Sequence, residues 1–100
     1  MSALEDALEV QLKAVKFKYE REARPVKGRR WRVDFLIGGW LVVEVEGGHW
    51  VNGRHTRGLG FENDCEKYNE LAIRGFRVLR VTGTHVRNGR ALKWIDACLS

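Results

Sequence analysis

The segment from Tyr19 to Glu46 constrains the fold more than any other part of the sequence. Residues 19–37 follow a period of two that is interrupted at residues 25–28, where proline and glycine predict a turn between two strands. Gly38 and Gly39 then precede WLVVEVE, whose β-branched residues favour a buried third strand over residues 41–45. We therefore predict three consecutive strands that form a meander.

Helical patterns flank these strands. Ser2 and Glu5 have the spacing of a capping box, and apolar residues recur at helical spacing from there to about Lys16. A second helical face begins at Phe61, follows Cys65, Tyr68 and Leu71, and ends at Gly75. A strand over residues 76–82 and a last helix over about residues 89–99 complete the order α-β-β-β-α-β-α. The 100 residues thus predict one α+β domain with a mixed sheet flanked by helices.

The charged residues are unevenly distributed. The chain has 18 Lys and Arg against 13 Asp and Glu, a net charge of +5 that favours an anionic partner such as nucleic acid or a membrane. Residues 21–33 carry six positive charges and one negative charge, which equals the whole surplus. The six are Arg21, Arg24, Lys27, Arg29, Arg30 and Arg32. We expect this hairpin to hold a phosphate backbone, with Trp31 or Trp50 stacking on an exposed base.

Composition also excludes several classes of protein. No apolar run approaches the ~20 residues of a membrane span, and the acidic start MSALEDALEV does not resemble a secretory signal, so we expect a cytoplasmic protein. Cys65 and Cys98 lie apart within helical patterns, which favours buried thiols over a disulfide or zinc site. Trp40 and Trp94 are predicted to lie in the core.

Three carboxylates fall in or beside strands that otherwise resemble core: Asp34, Glu44 and Glu46. Acids are depleted in strands, so their presence needs an explanation. One is a solvated face of a half-exposed sheet, and the other is a Mg²⁺ site with one or two carboxylate ligands. A two-residue turn at Gly38 and Gly39 would place Asp34 and Glu44 on opposite faces, whereas one more residue would bring them together. We predict the longer connection.

These residues resemble the PD-(D/E)XK nuclease superfamily. The motifs VDF, VEVEGGHW, GRHTRG, DCEKYN and GFRVLRVT are similar to its small branch of phage-encoded and very-short-patch-repair-like endonucleases. The resemblance implies a restriction-endonuclease-like αβββαβ core with an additional C-terminal helix, acting in a bacterial host cell. It also implies a Mg²⁺-dependent endonuclease, with Mn²⁺ expected to substitute, that leaves 5′-phosphate and 3′-hydroxyl ends.

Carried over by position, the resemblance makes Asp34 the central metal ligand, Glu44 the second, and the Val45 carbonyl a further ligand. Glu46 is expected to hold Mg²⁺ together with Asp34 and Glu44. It stands where many members have lysine, so the residue that activates water is open, and Lys67 is a candidate to replace that lysine. Relatives also use a glutamate of the first helix near the metal, which here would be Glu9.

The long connection over residues 47–60 holds five glycines and no apolar period, which is typical of a functional or mobile loop. Its His49 and His55 are candidates to orient water or to protonate the leaving oxygen. Arg54 and Arg57 are candidates to clamp phosphate, because guanidinium offers paired donors.

Three other functions stay open at this point. A twofold dimer could resolve Holliday junctions, a module without catalytic activity could bind DNA through the basic hairpin, and a protein-interaction domain would carry its charge incidentally.

Overall fold

A computed structural model describes residues 2–47 and 58–100 of the chain. The helices and strands are α1 (Ala3–Ala14), β1 (Tyr19–Ala23), β2 (Val33–Ile37), β3 (Leu41–Glu46), α2 (Gly58–Ile73), β4 (Arg77–Thr82), α3 (Gly83–Arg87) and α4 (Arg90–Leu99). The order matches the predicted one except for α3, a five-residue helix that the sequence analysis did not anticipate. The molecule is a small α+β domain with a mixed sheet flanked by helices.

The sheet has the strand order β1-β2-β3-β4. The first three strands are antiparallel neighbours, which confirms the predicted meander, and β4 pairs with β3 in parallel after the crossover through α2. Ile37 pairs with Leu41, so the connection between β2 and β3 has three residues. Gly38 and Gly39 have φ values of 63° and 83°, a left-handed backbone that glycine adopts without steric cost. Continued past Phe35 and Val43, this register sets Asp34 opposite Glu44, as predicted.

Each face of the sheet has its own apolar core. One core lies against α1, α3 and α4, and its largest members include Leu8, Leu12, Phe35, Ile37 and Leu41. The second core lies against α2 and consists of Ala23, Val26, Val33, Val42 and Leu71. Full burial of a leucine, isoleucine or phenylalanine contributes about 1.5–3 kcal/mol. The two cores therefore fix the sheet and α2 as a stable base for the residues between them.

Helix boundaries follow the signals in the sequence. Ser2 caps α1 by accepting a hydrogen bond from the Glu5 amide at 3.2 Å. The helix ends at Ala14, two residues before the predicted end, and Lys16 then takes a φ of 62° that is incompatible with helix. Gly75 follows α2 with a φ of 89°, in agreement with its predicted role at the end of that helix.

Two buried positions were predicted wrongly. Cys65 is exposed and Trp94 has 37% of its surface exposed, and Phe61, at the start of the predicted helical face, has 46% exposed. The apolar contact of α2 comes instead from Tyr68 and Leu71 in its second half, because only that part of the helix packs on the sheet. Cys98, within α4, is half-buried against the core, and neither cysteine forms a disulfide.

Across the two described ranges, no helix is both long and apolar enough to cross a bilayer.

Candidate active site

The candidate site lies where β2 and β3 separate. The backbone amide of Asp34 donates to Glu44 Oε1 at 2.9 Å, and the amide of Val45 donates to Asp34 Oδ2 at 2.7 Å. Each carboxylate therefore accepts a hydrogen bond from the backbone of the other strand. This exchange places both side chains at one end of the strand pair.

Glu44 is the most constrained of these acids. It has 6% of its surface exposed and is the only buried charged residue in the described part of the chain. Its Oε2 accepts two further hydrogen bonds, from Lys67 Nζ at 2.7 Å and from the Tyr68 hydroxyl at 2.7 Å. The partners of this one carboxylate thus come from β2 and α2, because the register of β3 points Glu44 toward α2.

Tyr68 donates to Glu44 from a half-buried position. Burial and the hydrogen bond to the Glu44 carboxylate both raise the pKa of Tyr68 above its ordinary value. The hydroxyl therefore keeps its proton near neutral pH and acts as a donor. We call Asp34, Glu44, Lys67 and Tyr68 the Glu44 cluster.

Asp34 has a different electrostatic environment from an ordinary surface aspartate. Burial raises its pKa to about 6, the Val45 amide opposes this rise, and the negative charge of Glu44 adds to it. Glu5 on α1 also raises the pKa of Asp34 through its charge, while Lys67 lowers it. Two neighbouring carboxylates, one with a raised pKa, form a site where a cation would relieve repulsion.

Glu46 lies on the same face as Glu44 but has a different partner. Its Oε2 accepts a hydrogen bond from Arg80 Nε at 2.8 Å, and the Arg80 guanidinium lies 5.2 Å from the centre of the Tyr68 ring. Glu46 is therefore connected to the Glu44 cluster through Arg80 and Tyr68.

A second group of acids surrounds Arg21 and involves α1. The guanidinium of Arg21 contacts Glu5 at 3.4 Å, Asp6 at 2.7 Å and Glu9 at 2.9 Å, and the Tyr19 hydroxyl donates to Glu9 at 2.7 Å. We call these five residues the Arg21 cluster. Both oxygens of Glu9 are engaged here, so the structure does not bring Glu9 to Asp34; the α1 acid whose charge acts on Asp34 is Glu5.

Arg21 differs from the other basic residues of its hairpin. Its side chain is 15% exposed and its contacts hold β1 to α1, so it is not presented as a surface cation. The structure thus separates Arg21 from the predicted set of DNA contacts.

The other basic residues of the hairpin lie on the segment between β1 and β2, which we call the basic connection (residues 24–32). Its exposed cations are Arg24, Lys27, Arg29, Arg30 and Arg32. Val26 is 1% exposed and anchors the segment in the core beside α2. Trp31 is half-buried, and the guanidinium of Arg29 lies 4.7 Å from its ring centre.

The basic connection reaches the Glu44 cluster because of the backbone at Glu22. Glu22 has a φ of 54°, which is uncommon for a residue other than glycine. Arg21 before it contacts α1, whereas Ala23 after it packs with Leu71 of α2. The chain then passes close to α2, where Lys67 Nζ donates to the Arg32 carbonyl at 2.7 Å. Lys67 therefore joins the basic connection to Glu44.

Five candidate residues, His49, Trp50, Arg54, His55 and Arg57, lie outside the described residues.

The remaining acceptor positions decide whether this site fits a metal ion. Within residues 2–47 and 58–100, no group of three or more His, Cys, Asp or Glu side chains is arranged to hold a metal. Mg²⁺ commonly takes only one or two carboxylates and completes its coordination with water and phosphate. Glu44 uses three of the about four lone-pair positions of a carboxylate, so Oε1 retains capacity. Asp34 and Glu44 therefore fit a hard divalent cation.

Comparison with known structures supports the fold assignment. The structure is similar to the solved structure of the homing endonuclease I-Bth0305I catalytic domain, with a TM-score of 0.69 and 24% sequence identity. The similarity covers 97% of this chain and 92% of that domain. No protein-family model and no curated protein sequence matches the chain. The likeness confirms the predicted fold class.

The sequence did not predict that Tyr68 contacts Glu44, that Glu5 acts on Asp34 through its charge, or that Arg80 pairs with Glu46. Tyr68 had been interpreted as part of an apolar helix face, and Glu5 as part of a helix cap. The adjacency of Lys67 and Tyr68 in DCEKYN was the available signal, because the two residues can reach one acceptor from neighbouring positions of a helix. Nothing local in the sequence identified Glu44 as that acceptor.

Proposed function

We propose that this domain is a metal-dependent endodeoxyribonuclease that hydrolyses DNA phosphodiester bonds to 5′-phosphate and 3′-hydroxyl ends. The observation that carries the proposal is the meeting of Asp34 and Glu44 beside Lys67 and the basic connection. The similarity of the domain's fold to a homing endonuclease catalytic domain supports the same function. The resemblance to the PD-(D/E)XK superfamily agrees with both.

In this proposal Asp34 and Glu44 hold Mg²⁺ or Mn²⁺, and the Val45 carbonyl contributes as the resemblance implies. The bound ion would neutralise phosphate charge and stabilise the leaving oxygen. Lys67 orients Glu44 and places a positive charge beside the site. Glu46 is assigned a position outside the direct ligands, since its carboxylate already pairs with Arg80. His49 and His55 remain candidates for proton transfer.

The basic connection is proposed to hold the DNA backbone. Its five exposed cations lie on the segment that Lys67 ties to Glu44, so phosphates bound there would lie next to the carboxylates. Trp31 is proposed to stack on a base, and Arg54, Arg57 and Trp50, which lie outside the described residues, are proposed to contribute further DNA contacts.

A DNA-binding module without catalytic activity is the second candidate, and the exposed basic connection favours it. It does not explain why two carboxylates are brought together beside that surface, where they would repel phosphate in the absence of a cation. Cleavage assays separate the two functions.

The direct test is nicking of supercoiled plasmid in the presence of Mg²⁺ or Mn²⁺. Asp34→Asn should lower the rate by about 1,000-fold or more, equivalent to ~4 kcal/mol, while DNA affinity is kept or improved because a negative charge is removed. Asp96→Asn is the matched control, because Asp96 is exposed on α4 away from the site. Retained cleavage by Asp34→Asn, or binding without cleavage by the wild type, would contradict the proposal.

The preferred DNA structure requires a panel of substrates. Labelled linear, single-stranded, flapped, mismatched and four-way DNA would be offered with the same metal. Symmetric cuts in the four-way junction, together with a dimer by light scattering, would identify a resolvase. A single cut in a linear or mismatched duplex would identify a nicking enzyme.

A further inference from the structure

The feature that extends the proposed function is the pair of α2 side chains that reach one oxygen of Glu44. Lys67 and Tyr68 are adjacent in sequence, and both donate to Glu44 Oε2 at 2.7 Å. Leu71, one helical turn beyond Tyr68, is fully buried with Val33 and Val42. This packing holds the helix against the sheet, so the two donors are held at a fixed distance from Glu44.

The Tyr68 ring is itself held on the site by charged neighbours. Lys67 Nζ and the Arg80 guanidinium each lie 5.2 Å from the ring centre. Such cation–π contacts contribute about 0.5–1 kcal/mol at exposed positions and more where water is excluded. The ring therefore has a defined position, and the direction of its hydroxyl is defined with it.

These contacts determine which oxygen of Glu44 faces Asp34. Oε2 accepts from Lys67 and Tyr68, whereas Oε1 accepts only the Asp34 amide among the described residues. If one of the two donors to Oε2 were removed, the Glu44 carboxylate could rotate more freely about its terminal bond. Groups that orient a metal ligand from behind commonly affect metal affinity by 10–100-fold.

We infer that Tyr68 is a positioning residue for metal binding, which holds the Glu44 carboxylate so that Oε1 is presented toward Asp34 for a divalent cation. The inference rests on the proposed function, since it assigns Tyr68 to the same site. Tyr68 does not touch the cation or the DNA in this role. It acts on both only through Glu44.

The chain contains a matched control for the test. Tyr19 is the other tyrosine, and its hydroxyl also donates to a glutamate, Glu9, at 2.7 Å. Tyr68→Phe and Tyr19→Phe each remove one hydroxyl from a tyrosine–carboxylate pair and keep the ring. Only the first pair belongs to the Glu44 cluster.

The experiment measures Mn²⁺ binding by isothermal titration calorimetry without DNA, after circular dichroism has shown that both variants fold. Tyr68→Phe should raise the dissociation constant for Mn²⁺ by about tenfold, and Tyr19→Phe should bind as the wild type does. In plasmid cleavage, the Tyr68→Phe defect should be largest at low Mn²⁺ and should diminish as Mn²⁺ approaches saturation.

Unchanged Mn²⁺ affinity in Tyr68→Phe would overturn the inference, as would equal losses in the two tyrosine variants. A loss of cleavage that is the same at every Mn²⁺ concentration would also overturn it, because it would give Tyr68 a role in a later step. If the wild type binds Mn²⁺ but does not cut any DNA, the proposed function fails while the binding comparison still decides the role of Tyr68. A wild type that binds no Mn²⁺ contradicts both.

Discussion

The Arg21 cluster and the Glu44 cluster contain similar groups in opposite arrangements. In the Arg21 cluster a cation lies at the centre, and three acids from α1 surround it. In the Glu44 cluster two acids lie at the centre, and donors from the backbone and α2 surround them. Both contain a tyrosine that donates to a glutamate at 2.7 Å.

The pKa shifts reflect this difference. Hydrogen bonds from Tyr19 and Arg21 lower the pKa of Glu9, so its charged form is favoured in the folded protein. Burial and the charge of Glu44 raise the pKa of Asp34 to about 6, so its charged form is disfavoured. The ion pairs of the first cluster join α1 to the sheet, whereas the second cluster is the one that we propose binds a cation. The two clusters thus differ in local charge balance rather than in the mere presence of acids.

The largest effect among the remaining predictions concerns Lys67, which contributes the ammonium of the Glu44 cluster. Lys67→Ala should reduce DNA cleavage at least tenfold, or ~1.4 kcal/mol of transition-state stabilisation, because Glu44 loses a charged donor and the site loses a positive charge. The measurement is the single-turnover cleavage rate. Lys93→Ala, an exposed lysine on α4, is the control. An unchanged rate for Lys67→Ala would make its contact with Glu44 a structural ion pair like those of Arg21.

The next largest effect is on the free energy of unfolding. Neutralising an acid at pH 7.5 should raise it in the Glu44 cluster and lower it in the Arg21 cluster. The folded pKa of Asp34 is about 6 against an ordinary value of 3.8, a difference that corresponds to ~3 kcal/mol at full burial. Solvent around this half-buried group reduces the figure to ~1 kcal/mol. Because the folded pKa is raised, the contribution of Asp34 to the free energy of unfolding is fully present below pH 3.8. It is lost as the pH rises through about 6. Asp34→Asn should therefore be more stable than the wild type at pH 7.5, by ~1 kcal/mol in urea unfolding.

That advantage should diminish as the pH falls through about 6 and disappear below pH 3.8, where Asp34 is protonated in both the folded and the unfolded wild type. Glu9→Gln provides the contrast. The folded pKa of Glu9 is lowered, so its contribution is present above its ordinary pKa and is lost as the pH falls through the lowered one. Glu9→Gln should thus be less stable than the wild type at pH 7.5. The same sign for both variants at that pH would remove the electrostatic distinction between the clusters.

The smallest effect concerns the basic connection, whose cations differ from Arg21 in their exposure. Arg30→Ala should weaken DNA binding similarly for all sequences and reduce the slope of log affinity against log salt by about 1. Fluorescence anisotropy at several salt concentrations measures this slope. Arg74→Ala is the control, because Arg74 is an exposed arginine at the far end of α2 that pairs with Glu70. Equal slopes for both variants would show that Arg30 of the basic connection does not contact the DNA.

The success of sequence reasoning can be traced to particular residues. The three-residue connection at Gly38 was predicted because a shorter turn would have separated Asp34 from Glu44, and the observed pairing of Ile37 with Leu41 confirms it. The assignment of Cys65 and Trp94 to the core was wrong, because an apolar period does not specify where a helix extends beyond the sheet. Tyr68 packs against the core as its place on the apolar helix face predicted, but the periodicity gave no sign that its hydroxyl contacts Glu44.

Arg21 shows the limit most clearly. In the sequence it is one of six cations in residues 21–33, and net charge cannot distinguish it from Arg29 or Arg30. The left-handed backbone at Glu22 directs Arg21 toward α1 and carries the following residues toward α2. Two neighbouring segments of one basic hairpin therefore have different surroundings.

The sequence by itself determined the order of the main helices and strands and the position of the basic connection before Asp34, and it limited the register of Asp34 and Glu44 to two possibilities, between which the observed pairing of Ile37 with Leu41 decides. These properties follow from local periodicity and turn chemistry, which depend on residues close together in the chain. Only the tertiary structure decided that Lys67 and Tyr68 share one oxygen of Glu44 and that Arg21 is held by α1. These contacts join residues 12–24 positions apart, and their geometry depends on how α1 and α2 pack on opposite faces of the sheet.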